Sequence, residues 1–328
     1  MGIGIDGISS YAPPAILTNQ ELEKIVHTSD EWIRQRTGII TRHISGPDVH
    51  SPELMVPPIL QLLAEKQTNI ADYNALMVAT SWPRESVPLT SDIVAQLVGA
   101  PYDLLAMDFN AECASFCWAL GAAYEFMTVN PLFQKVLLAT GDATTKFTDY
   151  NDRSTCVLFG DAAAAVSISS NPSLEGIIGY GRYSDRRYLD CLSAPLGGTM
   201  HFGEGGGKHL LEAIGNLTPP LLEEFCEKHG FGISDIDMIV PHQLNIRITD
   251  VVKKRLVKIG LKENAFYDRN TALYGNCSGS GNAMALDTCY REGNFKPGDL
   301  VVLITWGAGL KIGIVALRWW LPQIQPAA

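Results

Sequence analysis

The stretch FNAECASFCWALGAA, residues 109–123, sets a cysteine, Cys113, where a helix is due to begin, and then carries no charge until Glu125. A helix that is apolar on every side is a buried helix. The unpaired N–H groups at its N-terminus then face the interior, and a thiol there sees the positive end of the helix dipole, which favours thiolate. Cys113 is therefore a candidate nucleophile, weighed against the plainer reading of a small core cysteine. Cys117, one turn on, keeps the plainer reading, because no dipole helps it mid-helix. Further along, VPHQLN places His242 and Asn245 directly after an apolar strand pattern, where an imidazole serves as base or hydrogen-bond donor. Residues 275–281, GNCSGSG, make a small-residue loop entering a helix, and the Asn276 amide is a candidate partner for a substrate carbonyl. Trp306-Gly307-Ala308-Gly309 is a tight turn after a strand, and its backbone N–H groups can form half an oxyanion hole. Nucleophile, base, amide and oxyanion turn are the parts of covalent catalysis.

These residues need a scaffold, and short β-rich runs alternating with helical patterns predict an α/β one. IGIDGISSYAPP reads as a strand running into a Pro turn. Thr18 to Glu21 is a capping box opening a helix. ALMVATS (75–81) is an apolar strand, a helix follows Pro88, and KVLLATGDA (135–143) is the strand after the cysteine helix. STCVLFGDAAAAVSIS (154–169) reads as a bend between two strands. IDMIVPHQ (236–243), a helix over about 247–259, the helix opened by GNCSGSG, and the strand DLVVLITWGAG (299–309) repeat the order of the first half. The expected fold is two related halves, 1–170 and 171–328, in one body. Cys113 then falls opposite Asn276, and His242 ends the strand matching ALMVATS. Strand C-termini and helix N-termini are where α/β folds place their sites.

The bulk numbers limit the alternatives. The chain has 328 residues, 46% hydrophobic and 18% charged, with net charge −10. A net-acidic chain is a poor general binder of nucleic acid or anionic membrane. The start MGIGIDGISSYAPP has no basic n-region, and the longest apolar run, LVVLITWGAGLKIGIVALRWW, is broken by three glycines and Lys311. A cytoplasmic protein is expected. The seven cysteines are irregularly spaced and read as reduced thiols, and no Cys or His pairs have zinc spacing, so no metal site is expected.

Taken together, these segments resemble the thiolase-fold condensing enzymes, specifically the β-ketoacyl-acyl-carrier-protein synthase III family. The resemblance runs along nearly the whole chain: TSDEWIRQRTGI (28–39), the Cys113 segment, NDR and FGDAAAAV (151–166), VPHQLNIRI (240–248), GNCSGSG, KPGDLVVLITWGAG (296–309) and a closing ALRW. It implies two βαβαβαββ halves in α-β-α-β-α layers, with the cysteine in the first half and the histidine and asparagine in the second. It also implies a mechanism. Cys113 takes an acyl group from acyl-coenzyme A as a thioester. His242 and Asn276 then stabilise the enolate formed as a malonyl thioester loses carbon dioxide. The carbanion attacks the acyl-Cys113 carbonyl, whose oxyanion the Cys113 and Ala308 N–H groups hold. Trp306 would be an aromatic wall disfavouring the malonyl carboxylate. Trp32 would stack on the adenine of coenzyme A, with Arg36 and Arg153 at its phosphate end and Asn245 and Arg247 at the pantetheine tunnel mouth. Acyl-coenzyme A is substrate and no cofactor is resident. A homodimer completes the pocket.

Residue pattern speaks separately for the carrier protein. Arg247, Lys254 and Lys258 share one stripe of the helix after Asn245, with Arg255 beside it, and Ile248, Val252, Leu256 and Ile259 lie opposite. A basic face on a net-acidic protein suits the acidic acyl carrier protein. The sequence also departs from the family pattern. Glu112 stands where a small apolar residue is usual; a carboxylate there raises the thiol pKa if close, or helps as a base. Cys277 replaces Thr. Val87 replaces the Phe that the dimer partner supplies to the end of the acyl pocket, which predicts acceptance of chains longer than acetyl. GEGGGKH (203–209) is Gly-heavy and lacks P-loop spacing. Rival readings are a relative that moves the acyl group to another nucleophile, a hydroxymethylglutaryl-coenzyme A synthase, against which TSDEWI and GNCSGSG argue, and a non-catalytic subunit, against which the retained Cys113, His242 and Asn276 argue.

Overall fold

A computed structural model describes residues 2–324 of the chain. The first half supplies strands β1 (Gly2–Tyr11), β2 (Ala15–Thr18), β3 (Thr41–Ile44), β4 (Ala75–Ala79), β5 (Leu105–Phe109), β6 (Lys135–Asp142) and β7 (Ala162–Asn171). Its helices are α1 (Asn19–Leu22), α2 (Asp30–Thr37), α3 (Ser51–Lys66), α4 (Thr90–Leu97), α5 (Ser115–Val129) and α6 (Arg153–Cys156). The second half supplies β8 (Ile177–Ser184), β9 (Leu192–Ser193), β10 (His201–Phe202), β11 (Met238–Pro241), β12 (Leu300–Gly307) and β13 (Lys311–Arg318). Its helices are α7 (Gly206–Lys228), α8 (Ile246–Lys258), α9 (Asn270–Tyr274) and α10 (Ser280–Arg291).

The two main sheets repeat one topology. The first runs β1-β7-β6-β4-β5, and the second runs β8-β13-β12-β11. In both, the outer two pairings are antiparallel and the next is parallel. The fifth strand of the second sheet survives only as a single parallel bridge between Ile239 and Phe266, in the place that β5 takes beside β4.

Strand periodicity sorts side chains into layers. On β12, Val301 and Leu303 face the centre with α5, α10 and the inner face of the first sheet. Val302, Ile304 and Trp306 face outward onto α7 and α8. On the other side, Leu76, Val78, Leu137 and Ala139 pack under α3. Five layers, α-β-α-β-α, follow, and α5 and α10 are sandwiched between sheets, which is why their sequences carry so few charges. The layered thiolase-like fold is the one expected.

Two local expectations are corrected. Residues 154–169 do not hold a bend between two strands: α6 and a turn lead into the single strand β7, which returns antiparallel beside β6. The Gly-heavy segment 203–209 opens α7, with Gly205 at φ 66 in the cap position. The capping box is present, with the Thr18 N–H donating to Glu21 and the Glu21 N–H donating to the Thr18 hydroxyl. The apolar run near the C-terminus is the β12–β13 hairpin, and among the described residues no helix is long and apolar enough to cross a membrane.

Candidate active site

Cys113 does not open α5 but lies two residues before it, in a tight turn. The turn is held by Ser115: the Ala111 N–H donates to its Oγ at 2.8 Å, and that hydroxyl donates to the Glu112 carbonyl at 2.6 Å. The residue before the cysteine, Glu112, sits at φ 54, a left-handed conformation that a glutamate seldom adopts. Ser278 across the site sits at φ 53, and its Oγ lies 3.5 Å from Cys113 Sγ. Two of the three non-glycine residues with positive φ among the described residues thus flank one sulfur, as strain does at functional sites.

The dipole expected to favour thiolate does not prevail. Burial pushes the Cys113 thiol up to about 12; the Ser278 hydroxyl pulls against this, and the Asp142 and Glu112 carboxylates add to it. The cysteine is outside the helical N–H array, so loss of solvation dominates. His242 is fully enclosed just past the end of β11, with its backbone N–H donating to the Ile304 carbonyl at 2.7 Å. Neither ring nitrogen has a partner, and burial lowers its pKa to about 3. At rest the site therefore holds a neutral thiol and a neutral imidazole. A neutral imidazole offers one acceptor and one N–H donor, so it can take the thiol proton or donate to a carbonyl oxygen.

Asn276 is committed on one side only. Its Oδ1 accepts from the Ser278 N–H at 2.9 Å, which leaves the NH₂ for a ligand. Its backbone is pinned by two hydrogen bonds to the 158–160 segment of the first half. Across the site, Gly307 brings the end of β12 against the cysteine turn: a Cβ there would lie 2.7 Å from the Ala111 carbonyl oxygen. That contact aligns the Ala308 and Cys113 backbones, whose N–H groups make no turn or loop hydrogen bond among the described residues.

Two cavities meet at Cys113. The first, of about 90 Å³, is an apolar tunnel walled by Phe159, Leu210, Leu244, Ile248 and Trp306, with Asn245, Asn276 and Ala308 also lining it. The second, of about 420 Å³, is mixed: Ser81, Glu112, Ser278 and Lys311 line it together with Trp82, Phe159, Leu189 and Met200. Trp306 belongs to the tunnel rather than to the larger cavity, and its indole N–H is held by Thr218 of α7 at 2.9 Å. Val87 lines neither cavity of its own chain and is 83% exposed.

Sequence comparison fits this geometry. Residues 107–185 match the family described as "3-Oxoacyl-[acyl-carrier-protein (ACP)] synthase III", and residues 226–319 match its C-terminal family. A β-ketoacyl-acyl-carrier-protein synthase III of Oceanobacillus iheyensis is 35% identical over 324 residues, covering 97% of this chain and 99% of its own. The chain belongs to the synthase III family. A Clostridioides difficile synthase III is likewise 35% identical, covering 97% of this chain and 98% of its own. Among solved structures, synthase III from Aquifex aeolicus superimposes with TM-score 0.91 at 30% identity, covering 97% of this chain and all of its own. The priming β-ketosynthase of the R1128 polyketide pathway superimposes with TM-score 0.89 at 29% identity, covering 99% and 97%.

The residues that the synthase III resemblance offers for coenzyme A lie on α2, α6 and α8. The Arg153 guanidinium stands 4.6 Å from the Trp32 ring centroid. Gly38, at φ 77 after α2, lets that helix close on Ile246, bringing Trp32 and Arg36 toward the start of α8. Asn245 caps α8, its Oδ1 accepting from the Arg247 N–H at 2.9 Å, and is the member of this set that lines the tunnel. Trp32, Arg36, Arg153 and Arg247 stand outside both cavity linings. On α8, Arg247, Lys254, Arg255 and Lys258 are exposed, with Arg255 tied to Asn216 of α7 at 2.6 Å. Ile248, Val252 and Leu256 are buried, but Ile259 is not: it falls at the C-cap, past the packed face, and is 36% exposed.

Sequence pattern missed two site residues. Asp142, fully buried at the end of β6, accepts from Thr80 Oγ1 and the Ser81 N–H, each at 2.9 Å, and from the first N–H of α10 at 3.3 Å. Burial raises its pKa to about 6. It ties the ends of β4 and β6 to the start of α10 near Cys113, a role that no single-strand pattern signals. Ser278 is the other, and its signal, a left-handed serine, exists only in the folded backbone.

Proposed function

We propose that Cys113 accepts an acyl group from acyl-coenzyme A and that the acyl-enzyme then condenses with a malonyl thioester carried by acyl carrier protein. The family assigns the chain to the acyltransferases that prime fatty acid synthesis by decarboxylative condensation, and this favours condensation over transfer to another nucleophile. The supporting observation is the convergence of Cys113, the half-committed Asn276 amide and Ala308 on one tunnel; His242, outside that lining, is buried just past the end of β11 with both ring nitrogens unpartnered.

Acylation forms the Cys113 S–C bond as the S–C bond to coenzyme A breaks. His242 takes the thiol proton and returns it to the departing thiolate. Condensation breaks the malonyl C–CO₂⁻ bond, and the Asn276 NH₂ and the His242 N–H hold the enolate oxygen. The new C–C bond forms at the acyl-Cys113 carbonyl, whose oxyanion rests on the Cys113 and Ala308 N–H groups. The Cys113 thiolate leaves and takes up one proton. Trp306 keeps the tunnel wall apolar, which disfavours the malonyl carboxylate against the neutral carbon dioxide it becomes.

Trp32 and Arg153 would receive the adenine, with Arg36 at the phosphates and Asn245 and Arg247 along the pantetheine. The exposed basic face of α8 would dock the carrier protein. The halves 1–170 and 171–328 serve as the nucleophile half and the enolate half. A homodimer is supported by the open edge of β5, beside exposed Leu89, Tyr102 and Leu105. In that dimer the partner's Val87 would close the acyl cavity. Seven free cysteines suit a reducing cytoplasm. The test is intact mass after incubation with a panel of acyl-coenzyme A esters, beside Cys113→Ala. An acyl adduct on the wild type alone, released as a 3-oxoacyl product by malonyl-carrier protein, supports the reading; no adduct from any ester overturns it.

A further inference from the structure

The larger cavity beside Cys113 sets two charged side chains, Glu112 and Lys311, among apolar ones such as Phe159, Leu189 and Met200. Glu112 occupies a strained left-handed backbone position whose cost is about 1 kcal/mol or more. Its backbone is held locally, the N–H by Asn110 and the carbonyl by Ser115, but among the described residues the carboxylate itself has no donor. Facing the same space, Lys311 opens β13 directly opposite Gly307, whose missing Cβ would sit 3.1 Å from the Glu112 Cβ. The ion pairs among the described residues do not include Lys311 or Glu112. The two groups feel one another, since the Lys311 charge opposes the upward pull of burial on the Glu112 carboxyl. They stand near enough to interact and too far apart to pair.

A carboxylate and an ammonium that line one cavity without pairing define what fits between them. A chain ending in carboxylate meets the charge of Glu112, and one ending in ammonium meets that of Lys311. An alkyl chain takes water from both and returns nothing. A hydroxyl donates to the first and accepts from the second. We propose that this cavity selects an acyl primer whose chain bears a hydroxyl group, bridged between Glu112 and Lys311. The proposal rests on Cys113 as the acyl acceptor. Asp190 and Ser193, exposed residues of the same lining, add further polar groups to it.

The experiment is the rate of Cys113 acylation, followed by intact mass, from butyryl-, 3-hydroxybutyryl-, 4-hydroxybutyryl- and succinyl-coenzyme A. It uses the full chain and the variants Glu112→Gln, Glu112→Ala and Lys311→Met, each checked for an unchanged melting profile. A site built around a substrate hydroxyl rejects the analogue lacking it. One hydroxy ester is expected to acylate the wild type at least about tenfold faster than butyryl, with the ratio falling to about twofold or less when either charge is removed. Butyryl or succinyl matching both hydroxy esters overturns the proposal and leaves Cys113 as nucleophile. A hydroxyl preference that survives in all three variants overturns it as well. Absence of any adduct from every ester overturns both readings together. Glu112→Gln keeps the side-chain volume, so a ratio lost there reports the charge and not a collapsed turn.

Discussion

Gly307→Ala tests how the oxyanion site is assembled. The added Cβ would lie 2.7 Å from the Ala111 carbonyl oxygen, 3.1 Å from the Glu112 Cβ and 3.2 Å from the Ala114 nitrogen. Two of these three atoms are backbone, so no side-chain rotation relieves the clash. Ordinary contact begins near 3.4 Å, so the cysteine turn and the end of β12 must part by about 0.7 Å. These are the segments that carry the Cys113 and Ala308 N–H groups proposed to hold the oxyanion, so parting them would misplace that pair. Overpacking of this kind costs about 1–3 kcal/mol of stability. A misplacement approaching 1 Å, or loss of one oxyanion donor, costs about 100-fold in rate. The expected result is a 10- to 100-fold lower maximal acylation rate, with a nearly unchanged KM for acyl-coenzyme A and a melting temperature lower by a few degrees. Stopped acylation read by intact mass gives the rate, and a thermal melt gives the stability. Gly46→Ala, where an added Cβ meets nothing within 4 Å, is the control. Wild-type acylation and an unchanged melt in Gly307→Ala would refute the argument.

Four further expectations follow from the site. Asp142 has a folded pKa of about 6, raised by burial above 3.8, so its stabilisation is complete below pH 4 and lost as pH rises through 6. Asp142→Asn should remove about 3 kcal/mol of pH-dependent stability across that window; a urea-midpoint profile from pH 4 to 7 unchanged by the substitution speaks against it. Asn276→Ala should retain the acyl-Cys113 adduct while carbon dioxide release from malonyl-carrier protein falls at least about 100-fold, and a wild-type release rate would remove the amide from the mechanism. Lys254→Glu with Lys258→Glu should raise the KM for malonyl-carrier protein about tenfold and leave loading from acyl-coenzyme A untouched; equal effects on both steps would move the docking surface elsewhere. Val87→Phe should shift the preferred primer from four- to eight-carbon chains toward acetyl. A wild type that already prefers acetyl would end that expectation.

The residues themselves determined much of this protein. The charge-free run after Cys113 announced a helix buried on all sides, and α5 lies between two sheets. The apolar run of 299–309, closing on Trp306-Gly307-Ala308-Gly309, announced β12 and the turn beyond it. The repeated order of strand and helix signals placed Cys113, His242 and Asn276 at matching points of two halves, because side-chain periodicity and capping chemistry are local. What depends on long-range approach was not legible. The thiol sits two residues outside α5, where desolvation outweighs the dipole, and only the folded turn shows that offset. Asp142 meets Thr80, Ser81 and the start of α10 across the seam between halves, and the left-handed Glu112 and Ser278 meet around Cys113 only in the folded chain. Glu112 and Lys311 are nearly 200 positions apart in the chain, and the β12–β13 hairpin lays them on one cavity wall. Local sequence fixes which elements form and which face each buries. Packing fixes how much water, charge and strain remain where they meet, and that residue is what the chemistry uses.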